Sequence, residues 1–91
     1  MHAKLYVGNL AYLVTEDEIR DLFSPYEPIR SIHLVTKKFS PQDKRGYGFV
    51  ELDEPQASEA LYNLDNMNFF GRNLRISRAL GRGNMSDDLT P

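Results

Sequence analysis

The chain has no cysteine, which excludes disulfides and thiolate-ligated metals. It has no apolar run long enough for a signal-peptide core or a membrane span, and Met1-His2-Ala3-Lys4 leads directly into patterned sequence. Both features fit a protein that works inside the cell, in the cytoplasm or, in a eukaryote, the nucleus, with no membrane partner. Histidine is scarce, with only 2 in the chain, and neither stands at a metal-ligand spacing. Gly46-x-Gly48 lacks the Lys-Ser/Thr pair of a phosphate-binding loop, and no nucleophile has a neighbouring base. Neither catalysis nor a cofactor is expected.

Positive charge is also short. The formal net charge is -2, which weakens the case for a polyanionic partner, because phosphate binding rests on Lys and Arg. The total hides a segregation, however. Residues 16–29 and 51–65 are acidic, whereas residues 30–45 and 72–82 each carry a net +4. Separate basic segments make the local field more informative than the sum. With 91 residues the chain has room for one small domain, expected over residues 1–80. A Gly-rich, polar stretch follows at 81–91 and reads as a disordered tail.

The strongest positive signal is the octamer Arg45-Gly46-Tyr47-Gly48-Phe49-Val50-Glu51-Leu52. On a strand, Arg45, Tyr47, Phe49 and Glu51 point one way and Gly46, Gly48, Val50 and Leu52 the other. The second set is small and apolar and reads as the buried face. The first set then displays a cation and two rings on a rigid surface, and a flat partner such as a nucleobase fits such a pair.

The rest of the chain supplies the frame. Lys4–Gly8 alternates as a strand, with Leu5 and Val7 on one face and Lys4 and Tyr6 on the other. Thr15-Glu16-Asp17-Glu18 is a capping box, followed by an apolar stripe at Ile19, Leu22 and Phe23. Pro25 stops that helix. Residues 29–36 read as a second strand with Ile32 and Leu34 inward and Ser31, His33 and Val35 outward. A polar loop with Lys37, Lys38 and Lys44 leads to the octamer strand. Asp53 or Glu54 is expected to cap a second helix, with Pro55 in its first turn and Ala57, Ala60, Leu61 and Leu64 as its apolar face. Asp65-Asn66 ends it, Gly71 turns the chain, and residues 73–77 form a last strand with Leu74 and Ile76 inward. The order is βαββαβ. Its economical packing is a four-stranded antiparallel sheet with both helices on one face and the other face open to water.

At these residues the chain resembles the RNA recognition motif family. The octamer is similar to the family's octamer signature, Leu5-Tyr6-Val7-Gly8-Asn9-Leu10 is similar to its hexamer signature, and Gly71–Ile76 resembles its approach to the last strand. The resemblance covers residues 3–79. It implies an α+β, ferredoxin-like fold and single-stranded RNA as partner, with single-stranded DNA a weaker one, bound by a monomer. It also implies roles: Tyr6 and Phe49 stack under bases, Tyr47 inserts against sugars, Arg45 pairs with a phosphate, and Arg78 adds a contact after the last strand. Lys4, His33 and Arg75 fall on the same open face and are candidate contacts, although each also reads as an ordinary solvated strand residue.

Two positions depart from the family pattern. Leu52 replaces an aromatic and points to the core, and Glu27 stands where a glycine is usual, so the turn after the first helix is expected to differ. A rival reading is a peptide-binding module that uses an acidic helical face. Against it, the exposed rings are intact, and no Phe lies two residues after Arg72, Arg75 or Arg78.

Overall fold

The computed structural model describes residues 2–11, 13–36 and 45–79. Strand β1 (His2–Ala11) leads to helix α1 (Glu16–Leu22), and a single 3₁₀ turn (Ser24–Tyr26) connects to β2 (Ile29–Thr36). Strand β3 (Arg45–Asp53), helix α2 (Gln56–Leu64), and the short strands β4 (Asn68–Phe69), β5 (Arg72–Asn73) and β6 (Arg75–Arg78) follow. The main sheet is antiparallel in the order β2-β3-β1-β6. This is the ferredoxin-like βαββαβ fold that the hydrophobic pattern implies.

One apolar cluster joins sheet and helices. Leu5, Val7, Val50, Leu52 and Ile76 from the strands meet Ile19 of α1, Phe23 just after it, and Ala57, Ala60 and Leu64 of α2. Phe23, Leu5, Leu52 and Leu74 are fully buried. Removing a side chain of that size from water contributes about 1.5–3 kcal/mol. Both helices therefore cover the same face. Along β3 burial alternates without a break, with Gly46, Gly48, Val50 and Leu52 buried and Tyr47, Phe49, Glu51 and Asp53 only half-buried.

Local chemistry fixes the helix ends. The Glu18 backbone N–H donates to Thr15 Oγ1 (3.2 Å) and the Thr15 N–H donates to Glu18 Oε1 (2.8 Å), so the capping box is complete. At the other end, α1 stops at Leu22 and Pro25 falls within the 3₁₀ turn. Glu27 has φ -61°, a conformation open to any residue, so this turn has no need of the glycine usual there. The Phe23 ring meets Tyr26 edge-on at 6.5 Å, and Asn63 of α2 donates to the Tyr26 hydroxyl at 3.2 Å.

Four details differ from the sequence expectations. Strand β1 runs on to Ala11 through an irregularity between Val7 and Leu10, where Asn9 adopts φ 60°. Helix α2 is capped by neither Asp53 nor Glu54. Its N-cap is Pro55, with no side-chain hydrogen bond, because Asp53 is held by Arg30 and Glu54 by Arg78 and Ser58. A β4–β5 hairpin precedes the last strand, turning at Phe70 and Gly71, whose φ values of 52° and 84° match the positive-φ pair of a tight hairpin. Finally, the expected single strand over 73–77 is divided: Asn73 pairs with Asn68 in β4, whereas Arg75 to Arg78 pair with β1.

Candidate nucleic-acid interface

Strand register gathers three rings on the open face. Phe49 lies opposite Tyr6 of β1 and His33 of β2, and Tyr47 lies opposite Val35. The ring centroids form a nearly equilateral triangle: Tyr6 to Tyr47 is 6.0 Å, Tyr6 to Phe49 is 5.8 Å and Tyr47 to Phe49 is 6.0 Å. Tyr6 and Tyr47 are tilted by only 30°, whereas Phe49 meets them at 62° and 87°. Offset and edge contacts of this kind stabilise aromatic clusters while leaving each ring partly exposed.

Glycine at position 8 makes room for this arrangement. A Cβ there would lie 2.5 Å from the Tyr6 hydroxyl oxygen and within 2.7 Å of two of its ring carbons. The ring therefore lies down along its own strand over bare backbone. Gly48 serves the sheet itself, since a Cβ there would stand 2.7 Å from the His33 carbonyl oxygen of the neighbouring strand.

Charged and polar groups surround the rings. The Lys4 ammonium sits 5.8 Å from the centroid of the Phe49 ring, within cation–π range. Arg75 is exposed and opposite Gly8, beside the platform, and Ser77 is opposite Tyr6. His33 is exposed next to Phe49. Glu51 follows, opposite Lys4 and Ser31. Its carboxylate accepts from the Ser31 hydroxyl at 3.2 Å and lies 3.7 Å from His2 Nδ1.

The structure thus brings together Tyr6, Tyr47, Phe49, Lys4, His33 and Arg75. It does not bring Arg78 to them. Arg78 shares the parity of the buried Ile76, and its guanidinium binds Glu54 Oε2 (2.7 Å) and Ser58 Oγ (2.6 Å) at the start of α2. The backbone of Arg45 opens β3 opposite Ala11, but its side chain lies outside what the structure describes. So do the loop lysines Lys37, Lys38 and Lys44 and the 81–91 tail.

Partner choice revises the charge argument. Arg30 forms a two-pronged pair with Asp53, both bonds 2.9 Å, and Arg72 binds the Asn9 side-chain and backbone oxygens. Arg78 is engaged by Glu54. Three of the arginines that make the sequence segments basic are therefore held by acceptors within the fold. Hydrogen bonding from Arg30 pulls the Asp53 carboxyl below its ordinary range, and that from Arg78 does the same to Glu54. The Asp53 hydrogen bond in turn raises Arg30.

Sequence reasoning missed His2, which borders Glu51 together with Ser31. The period-2 pattern of β1, extended back from Lys4, would have placed His2 on the open face. Alternation along β2 already puts Ser31 on the open face with His33, and its pairing with Glu51 follows a register shift between Ile29 and Ser31.

A four-stranded sheet is covered on one face by two helices and carries a ring triangle on the other, and exposed rings are a surface on which single-stranded nucleic acids can stack. Residues 5–75 match the RNA recognition motif family, to which the chain belongs. The chain is similar to the RNA-binding protein RbpA of Nostoc, 37% identical over 79 residues that make up 86% of this chain and 76% of that protein. It is also 37% identical to human cleavage stimulation factor subunit 2 over 91% of this chain but 14% of that protein. Among solved structures, the RNA-binding protein PG1 superposes with a TM-score of 0.74 at 35% identity, covering 90% of this chain and 99% of that one. The RNA recognition motif of Rna15, solved with bound RNA (GU), gives 0.70 at 28% identity over 91% and 87% of the two chains.

Proposed function

We propose that this protein binds single-stranded RNA on the open sheet face as a monomer, inside the cell, in a post-transcriptional role. The observation that carries the reading is the triangle of half-buried rings, 5.8–6.0 Å apart, on the face opposite the core. Family membership and the RNA-bound Rna15 neighbour support it. Tyr6 and Phe49 stack under successive bases, Tyr47 lies against the sugars between them, Arg75 and Arg45 meet phosphates, and Lys4 contacts the RNA beside Phe49. Each stacked base contributes about 1–3 kcal/mol. Two or three stacks with a few phosphate contacts give affinity on the order of micromolar, with modest sequence preference. Single-stranded DNA offers the same base faces and binds more weakly.

The test is a titration of the protein against a labelled mixed-sequence RNA oligomer, with single-stranded DNA and duplex RNA as competitors. The expected result is saturable binding that weakens with salt and is competed better by single strands than by duplex. Absence of binding at low salt, or equal competition by duplex, would overturn the reading.

A further inference from the structure

Among the described residues, the open face holds a polar pair that stacking does not use. Glu51 stands two residues beyond Phe49 on the same face and directly opposite Lys4. Its carboxylate is held in place. Oε1 accepts from the Ser31 hydroxyl at 3.2 Å, Oε2 lies 3.7 Å from His2 Nδ1, and the side chain stays 33% exposed. A carboxylate only accepts hydrogen bonds, and its two oxygens have lone pairs beyond those contacts. An ammonium only donates. Lys4 Nζ, 5.8 Å from the Phe49 ring centroid, occupies space that a base stacked on Phe49 would take. Stacking therefore moves the cation aside to the base's edge, on the side where Glu51 waits.

We infer that Glu51 and Lys4 read the Watson–Crick edge of the base stacked on Phe49, and that they select guanine. This deepens the RNA-binding reading above and rests on it. Guanine presents two adjacent donors, N1–H and N2–H₂, beside the O6 acceptor. A carboxylate next to an ammonium is the complement of that edge: Glu51 accepts from both donors and Lys4 donates to O6. Adenine and cytosine each offer one amino group beside a ring-nitrogen acceptor, so they make one bond to Glu51 where guanine makes two. Uracil places its single N3–H between two carbonyl oxygens, so it too makes one bond to Glu51. Guanine is therefore preferred over the other three bases. A good bidentate pair discriminates by roughly tenfold or more.

The experiment measures affinity by fluorescence anisotropy for an all-uridine RNA hexamer and for hexamers with one central A, C or G. The expected result for the unaltered protein is about tenfold tighter binding of the G-containing hexamer than of the all-uridine one. Glu51→Gln exchanges an acceptor for a donor–acceptor pair, and it is expected to bring the G-to-U affinity ratio toward one. Lys4→Met lowers the same ratio. Any phosphate contact of Lys4 affects both oligomers and cancels in it. Unaltered melting of each variant by circular dichroism shows that the sheet is intact. Equal binding of all four hexamers overturns the guanine assignment alone, and so does a guanine preference that survives Glu51→Gln. Failure of the unaltered protein to bind any hexamer overturns the RNA-binding reading as well.

Discussion

The two faces of the sheet are built from the same strands and are finished in opposite ways. On the helix side, Leu5, Val7, Val50, Leu52 and Ile76 are closed off from water. At the rim of that side the charges are also closed off, Arg78 by Glu54 and Ser58. On the open side, Tyr6, Tyr47 and Phe49 pack against one another, half-buried, and Lys4 rests on the Phe49 ring. The difference shows where free energy of interaction is still to be gained. Among the described residues, the helix side has its partners within the chain, and the open side keeps three half-buried rings beside exposed Lys4 and Arg75. Net charge misses this, because it counts Arg30, Arg72 and Arg78 equally with Lys4 and Arg75.

Breaking the helix side should show most strongly in stability. Phe23→Ala empties a fully buried site and is expected to cost about 3–5 kcal/mol, read as a lower urea midpoint. On the open side the effect should move from folding to binding. Tyr6→Ala and Tyr47→Ala are each expected to weaken RNA binding by about 1–3 kcal/mol, with a smaller loss in folding stability. A variant whose melting falls as far as that of Phe23→Ala would place the rings in the core's account of the fold and not in the ligand's.

Two arginines of β6 sharpen the comparison at single-residue scale. Arg75→Ala is expected to lower the slope of log affinity against log salt by about one phosphate contact. Arg78→Ala should leave that slope alone and cost at most about 1 kcal/mol of stability. The smallest effect is a pH dependence of stability from the end of β3 and the start of α2. Asp53 and Glu54 are more acidic in the folded state than in the unfolded chain, so the unfolded chain binds more protons in acid. Their contribution is full above the ordinary carboxylate range and is lost as pH falls through the lowered folded values. Urea midpoints should fall from about pH 5 downward, and less steeply in Arg30→Gln and Arg78→Gln.

What could be read from the sequence was whatever repeats with a fixed period or a local signature. Alternation in the octamer separated Tyr47 and Phe49 from Val50 and Leu52, the spacing of Ile19 and Phe23 gave the buried stripe of α1, and Thr15 with Glu18 gave its start. What could not be read depends on contacts across space. The capping role expected of Asp53 or Glu54 failed because arginines from β2 and β6 took both carboxylates. The shift at Asn9 goes with Arg72, 63 residues away, which binds its side chain. The β4–β5 turn has Phe70 at φ 52°, a conformation that residue type does not advertise. Arg78, expected among the contacts from the family resemblance, lies toward α2 because β6 begins at Arg75 and fixes the parity.

The most direct measurement is the RNA affinity of Phe49→Leu beside its thermal melting. Leucine keeps an apolar side chain on the open face and removes the π surface. The account predicts melting close to that of the unaltered protein and binding weaker by about 1–3 kcal/mol. Unchanged affinity in a folded Phe49→Leu protein would contradict it.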